Sequence, residues 1–304
     1  PILGIFGMGF LIVLISQIFL ALLDSLRDFT QSKSLYLSCL VLIIVFIGNQ
    51  PLKNFNWTES TGKISATVVQ PNIDIKEKWT QKGLQKIQSA IEKKLNQNPP
   101  QNLTQSSVIF WPEVTLTSLI QKDRMNEFRN NILNENNMLG MVIGALSENK
   151  SEEINNSLIG IGNISGIYDK KFLVPFGEYV PLSGLFSVFF DFFNFNRPQI
   201  FSGNKSELIG NDLIKISSAI CYEIAYQNIF LSNSKKTNIL FNASNDNWFG
   251  TGLGPHQHLQ IARFRAAEHQ KYLVRSTSTG ISALINHHGQ IIKKIETSTD
   301  KNEL

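Results

Sequence analysis

Charge is scarce in this sequence: 17% of its 304 residues are Asp, Glu, Lys or Arg, against 42% hydrophobic. That balance excludes a solvent-swollen disordered chain and supplies apolar material for a large core. The shortage is uneven. No charged side chain occurs between Pro1 and Leu23, and none between Ser34 and Leu52. Each run approaches the roughly 20 apolar residues that cross a bilayer as a helix. A secretory signal is the alternative for the first run, but signals open on a basic region and this sequence opens Pro-Ile-Leu. Starting inside an apolar run and stopping at Leu304 without a terminating pattern, it reads as part of a longer chain.

Cysteine is nearly absent too. A disulfide between Cys39, inside the second apolar run, and Cys221, far off in a polar region, is excluded on reach, which leaves Cys221 a lone thiol. The interleaving of basic and aromatic residues that stacks nucleic-acid bases is also missing. Lys76, Lys78, Lys82, Lys86, Lys93 and Lys94 alternate with acids and amides and read as a solvated helix face, with anionic lipid headgroups a secondary beneficiary of the +4 net charge. His256 and His258 lack the matching carboxylates or thiols of a metal site. The glycines of Gly160-Ile-Gly-Asn-Ile-Ser-Gly166 miss the dinucleotide spacing by one residue and read as a turn between strands.

What is present divides in two. Residues 1–55 read as two transmembrane helices around a polar loop, Asp24 to Lys33, whose Arg27 and Lys33 place it on the cytoplasmic side, diluted by Asp24 and Asp28. Residues 56–304 would then face outward. From about Lys63, short β-branched runs alternate with amphipathic stretches, the pattern of a layered α/β domain. Strands are expected at 64–69, 108–111, 141–146, 156–161, 214–221, 238–242 and 281–286, and helices at 76–97, 124–137 and 255–271. Four runs end in polar or reactive clusters: Gln70-Pro-Asn72, Trp111-Pro-Glu113, Cys221-Tyr-Glu223 and Asn242-Ala-Ser-Asn-Asp246. Ligands collect at carboxyl ends of strands in such sheets. Leu182 to Phe195, crowded with phenylalanine and too short to span a bilayer, reads as an interfacial arm or, alternatively, a core helix.

A thiol transfers acyl groups well but needs a base or a cation beside it. No cysteine-protease histidine pattern surrounds Cys221, so the partners are sought in Trp111-Pro-Glu113 and in Lys170 through Glu178. These blocks, with Cys221-Tyr222-Glu223, Ser244-Asn245-Asp246-Asn247-Trp248-Phe249, Gly254-Pro-His-Gln-His258, Arg263-Phe-Arg-Ala-Ala-Glu268 and Arg275-Ser-Thr-Ser-Thr-Gly280, resemble the apolipoprotein N-acyltransferases of the nitrilase superfamily, in order and over most of the chain.

The resemblance implies an α/β, nitrilase-like α-β-β-α sandwich preceded by transmembrane helices. It makes Glu113 the general base, Cys221 the nucleophile and Lys170 the oxyanion's cation, with Lys171 as a rival pointing to the other face. Glu178 and Glu223 become supporting carboxylates for Lys170 and the substrate amine, Tyr222 an oxyanion N–H donor, and Trp79, Asn245, Trp248 and Phe249 substrate-binding residues. The partners implied are a phospholipid acyl donor, a diacylglyceryl lipoprotein acceptor and the membrane, with no nucleic acid, metal or cofactor. The implied location is the bacterial inner membrane, multi-pass, the catalytic domain on the periplasmic side. The family carries further N-terminal membrane helices and usually a final C-terminal one, neither set complete here. A membrane-tethered amidase using the same trio is the alternative enzyme. A scaffold with a dead nitrilase fold is disfavoured because Glu113, Lys170 and Cys221 are all present.

Overall fold

The computed structural model describes residues 4–25, 32–53, 55–96, 107–132, 139–179, 200–204, 208–250 and 252–296. The chain divides into two compact units, 1–60 and 61–304. In the first, helices α1 (Gly4–Ser25) and α2 (Ser32–Lys53) touch one another. Gly4–Asp24 is long and apolar enough to cross a membrane, whereas α2 contributes a shorter apolar stretch, Cys39–Gly48. The phenylalanine-rich stretch 182–195 lies outside the described residues.

The second unit is two six-stranded sheets. In the first, β1 (Ser65–Val68), β2 (Ser107–Phe110) and β4 (Leu139–Glu148) run parallel in that order, β3 (Leu116–Gln121) pairs with the far half of β4, and β5 (Ile154–Gly162) and β6 (Ile167–Asp169) follow antiparallel. In the second, β8 (Lys215–Ile220), β9 (Ile239–Ser244) and β10 (Leu273–Thr277) are parallel. They are flanked by antiparallel β7 (Ile209–Gly210) on one side and by β11 (Ile281–Ile285) and β12 (Ile291–Glu296) on the other.

Alternation along the strands sorts side chains into layers. Val108, Phe110, Val142 and Leu158 meet Ile216, Ile220, Phe241 and Val274 between the sheets, where the Phe110 and Phe241 rings lie 4.8 Å apart. Their neighbours Ile109, Trp111, Met141 and Ile143 face outward and are covered by α4 (Gln81–Asn96) and α5 (Met125–Ile132) through Ala90, Ile91, Leu95, Phe128 and Ile132. Beyond the second sheet, Ala219, Leu240 and Leu273 pack against Leu259, Ala262 and Ala266 of a helix over Gly254–His269, α6 here. The layers are therefore α-β-β-α, as the sequence blocks imply.

One expected helix is broken. Residues 76–97 form a short helix, α3 (Ile75–Lys78), capped by the Asp74 side chain, and then α4, with Trp79 and Thr80 between them. The break shifts the helical phase, so Lys78 does not lie on a solvated face as the lysine pattern predicts: it is 4% exposed. Past Glu113 the chain turns sharply, with Val114 at a left-handed φ of 45°. Gly144 forms the floor beneath that turn, where a Cβ would meet Pro112 O at 2.4 Å and Val114 N at 2.5 Å.

Candidate active site

β8 ends at Ile220, and Cys221 takes a left-handed φ of 53° before a 3-10 turn over Cys221–Ala225. For a residue with a Cβ this conformation costs about 1–2 kcal/mol. It is held from behind: the Cys221 carbonyl accepts hydrogen bonds from Asn242 Nδ2 (3.4 Å) and His258 Nε2 (3.2 Å). A carbonyl only accepts, so Nε2 carries the ring proton. Burial, then the Arg275 guanidinium, hold the His258 pKa below its ordinary value while Asp246 opposes the fall, and Nδ1 lies 3.0 Å from both Arg275 Nη2 and Asp246 Oδ1. The same Nη2 donates to both Asp246 carboxylate oxygens (3.0 and 2.7 Å), and Ser244 Oγ donates to Asp246 at 2.9 Å. Burial pushes the Asp246 pKa up, but Arg275 and His258 reverse this and bring it down to about 2.

Glu113, 8% exposed, sits in the turn after β2, and its carboxylate accepts from Asn156 Nδ2 at 2.8 Å. Lys170, just past β6 and 1% exposed, places Nζ 3.6 Å from Glu113 Oε1 and donates to Glu178 Oε1 at 2.8 Å. Glu178 in turn accepts from Val174 N at 2.9 Å. Burial alone would weaken the Lys170 ammonium. The charges of Glu113, Cys221 and Glu178 outweigh it and raise the Lys170 pKa above its usual value, so the cation persists. Burial, then Glu113, push the Cys221 thiol up to about 12, against the opposing pull of Lys170 and a Ser244 hydrogen bond.

The structure therefore brings Glu113, Lys170 and Glu178 of the first-sheet side into one cluster, with Cys221, at the end of a second-sheet strand, within electrostatic reach of Glu113 and Lys170. Glu223, fully buried, accepts from Ile220 N (2.7 Å), Lys171 N (2.6 Å), Phe172 N (3.0 Å) and Tyr168 Oη (3.0 Å). It ties the Lys170 segment to the Cys221 turn rather than meeting Lys170 Nζ by a hydrogen bond. Tyr222 lies second in the 3-10 turn, where N–H groups have no partner within the turn. Trp79, Tyr222, Trp248 and Phe249 are exposed, and the buried Asn245 caps the turn Asp246–Phe249 by accepting from Asn247 N.

Sequence reasoning missed Asn156, whose amide links Glu113 with Glu178 Oε1 (3.4 Å), and the His258–Asp246–Arg275 network. It also missed Lys78, whose ammonium donates to the Glu113 carbonyl at 3.0 Å. For Lys78 the one available signal was its place beside Trp79; Asn156 carried none, since strand asparagines are not distinctive.

Residues 65–301 match the carbon–nitrogen hydrolase family. The chain belongs to that family. Among curated relatives of this carbon–nitrogen hydrolase, the apolipoprotein N-acyltransferase of Haemophilus ducreyi is 29% identical over 98% of this chain and 60% of its own length. That of Haemophilus influenzae is 32% identical over 96% and 58%. The chain thus spans under two thirds of the length of these relatives. Of solved structures, Nit3 of Saccharomyces cerevisiae, a nitrilase-superfamily member, superposes with a TM-score of 0.58 at 17% identity, covering 79% of this chain and 89% of that one. The carbon–nitrogen hydrolase of Helicobacter pylori gives 0.56 at 14%, covering 78% and 86%. Both confirm the nitrilase fold.

Proposed function

We propose that this chain is the catalytic part of an apolipoprotein N-acyltransferase, with residues 1–55 as membrane anchor and 56–304 as catalytic domain. The observation that carries the reading is a Lys170 ammonium buried between Glu113 and Glu178 in a cluster with a thiol at a strand end. Glu113 is the base, Cys221 the nucleophile and Lys170 the oxyanion's cation. Glu113 takes the thiol proton as Sγ attacks the ester carbonyl of a phospholipid. The oxyanion is met by Lys170 Nζ and the Tyr222 N–H. Collapse breaks the ester C–O bond, and the lysophospholipid oxygen leaves with the proton from Glu113. The free amine of a diacylglyceryl-cysteine lipoprotein then attacks the thioester, Glu113 takes the amine proton and returns it to sulfur, and an amide is formed. A thiol whose pKa is raised by burial fits a mechanism in which a base acts in the same step as attack.

The similarity to acyltransferases favours lipids on both sides of the reaction, and the exposed Trp79, Trp248 and Phe249 are apolar surfaces suited to acyl chains. The proposed setting is the bacterial inner membrane, multi-pass, with the catalytic domain on the periplasmic side. The test is to incubate the full-length protein in detergent with a phospholipid carrying a labelled acyl chain and no acceptor. A hydroxylamine-sensitive adduct on Cys221 is expected by intact mass spectrometry. It should vanish in Cys221→Ala, fall at least about 100-fold in rate in Glu113→Gln, and move to a diacylglyceryl peptide when one is added. No adduct, with ammonia released from small amides, would establish a tethered amidase instead.

A further inference from the structure

We propose that Lys78 is a positioning residue for Glu113: its buried ammonium, held on the Glu113 carbonyl, fixes the turn that carries the carboxylate. This rests on the reading of Glu113 as the base.

The turn has two carbonyls to hold, and each is held by a different side chain. Thr115 Oγ1 donates to Pro112 O at 2.8 Å, and Lys78 Nζ donates to Glu113 O at 3.0 Å. Val114 is left-handed there, a backbone state that persists only when its surroundings impose it. Burying an ammonium for one carbonyl contact is expensive, and a neutral donor such as Thr115 serves the neighbouring carbonyl without that penalty. What a lysine adds is reach, from α3 across to the carbonyl of the turn.

The other charged groups near Lys78 are engaged elsewhere. On its own helix, Glu77 pairs with Lys86 at 2.7 Å and Lys82 at 3.6 Å from α4, and Asp74 caps α3 by accepting from Lys76 N at 2.8 Å. Glu113 is the acid that acts on Lys78. Burial draws the Lys78 ammonium down to about 8 while Glu113 opposes the fall, so the charge is present at neutral pH. Gly83 lets α4 begin directly against α3, since a Cβ there would meet Glu77 O at 2.1 Å and Lys78 Cα at 2.9 Å. The broken helix thus aims one lysine inward while its neighbours stay in water, and it puts Trp79 and Glu113 under one mechanical constraint.

The experiment uses the full chain and p-nitrophenyl butyrate as acyl donor, following the rate of the hydroxylamine-sensitive Cys221 adduct by intact mass across donor concentrations at neutral pH. In Lys78→Met the maximal acylation rate should fall about 10-fold while the half-saturating donor concentration stays put, because the carboxylate is misplaced and the donor's own contacts are not. Lys78→Arg, which keeps a long donor for the Glu113 carbonyl, should recover most of the rate, and Thr115→Val, which loosens the same turn, should lower the maximal rate in the same way. A Lys78→Met rate equal to wild type, or a Lys78→Arg rate as low as that of Lys78→Met, overturns the proposal. Should Lys78→Met not melt cooperatively, Gly83→Ala takes its place: it keeps Lys78 but displaces it, and an unchanged maximal rate is then the refuting result. Glu113→Gln reports on the underlying reading separately, since an adduct forming there at the wild-type rate removes Glu113 as base whatever Lys78 does.

Discussion

Asp246 is the residue on which most of the buried polar structure behind Cys221 converges. Its carboxylate accepts from Arg275 and Ser244 and lies 3.0 Å from His258 Nδ1, while Arg275 also donates to Asn242, which itself reaches the Cys221 carbonyl. Removing its charge leaves the fully buried Arg275 guanidinium without a counter-ion. Asp246→Asn is therefore expected to cost about 3–5 kcal/mol in denaturant unfolding, with acylation reduced further because the Cys221 backbone loses its support. The folded pKa lies below the unfolded one, so this carboxylate contributes stability that is complete above about pH 4 and is lost as pH falls through about 2. A chevron or melt series over that range should show wild type losing stability where Asp246→Asn has none of this contribution left to lose. None of this was legible beforehand: Asp246, His258 and Arg275 are separated in sequence, and a loop aspartate carries the same signal whether it turns a chain or neutralises an arginine.

Among the elements, α6 carries a second titration. His269, against the Phe230 ring at 5.6 Å, is brought down to about 4 by burial, then by Arg265 and Lys271. Its folded pKa is below the unfolded value, so its stabilising share is present above about pH 6.5 and lost as pH falls toward 4. His269→Phe should flatten the pH dependence of the unfolding free energy across that window, by about 1–2 kcal/mol once its partial exposure is discounted. On α4, Ile87 is 5% exposed, and Ile87→Ala should cost about 2–4 kcal/mol by urea titration. Elements built on continuous apolar runs were readable: β2, β4, β5, β8, β9 and α6 fall where hydrophobicity and helix signals put them. β10 was not, because Leu-Val-Arg-Ser-Thr is buried throughout yet three of its five residues are polar, with their partners on β9 and in the segment just past β1. β12 hides for the opposite reason, its exposed lysines making an edge strand look like a loop. The α3–α4 break escaped because one lysine of six points inward, a matter of phase that charge counting does not see.

At the scale of the molecule, residues 61–304 hold their own three apolar layers, whereas 1–60 holds the helix fit to cross a bilayer. A 61–304 fragment is expected to melt cooperatively without detergent, and the full chain to float with phospholipid vesicles from which the fragment is absent; a fragment that floats equally well would place membrane affinity in the sandwich. The site draws on both sheets, Glu113 and Lys170 from one and Cys221 from the other, so its geometry depends on the sandwich closing correctly. Within that closed fold Cys221 occupies a backbone state that only glycine enters freely. Alanine at position 221 keeps the conformational penalty and glycine relieves it, so Cys221→Gly should exceed Cys221→Ala in stability by about 1 kcal/mol. A lineage released from the reaction would drift toward glycine there, and its inert descendants would be expected to outlast the working enzyme under heat.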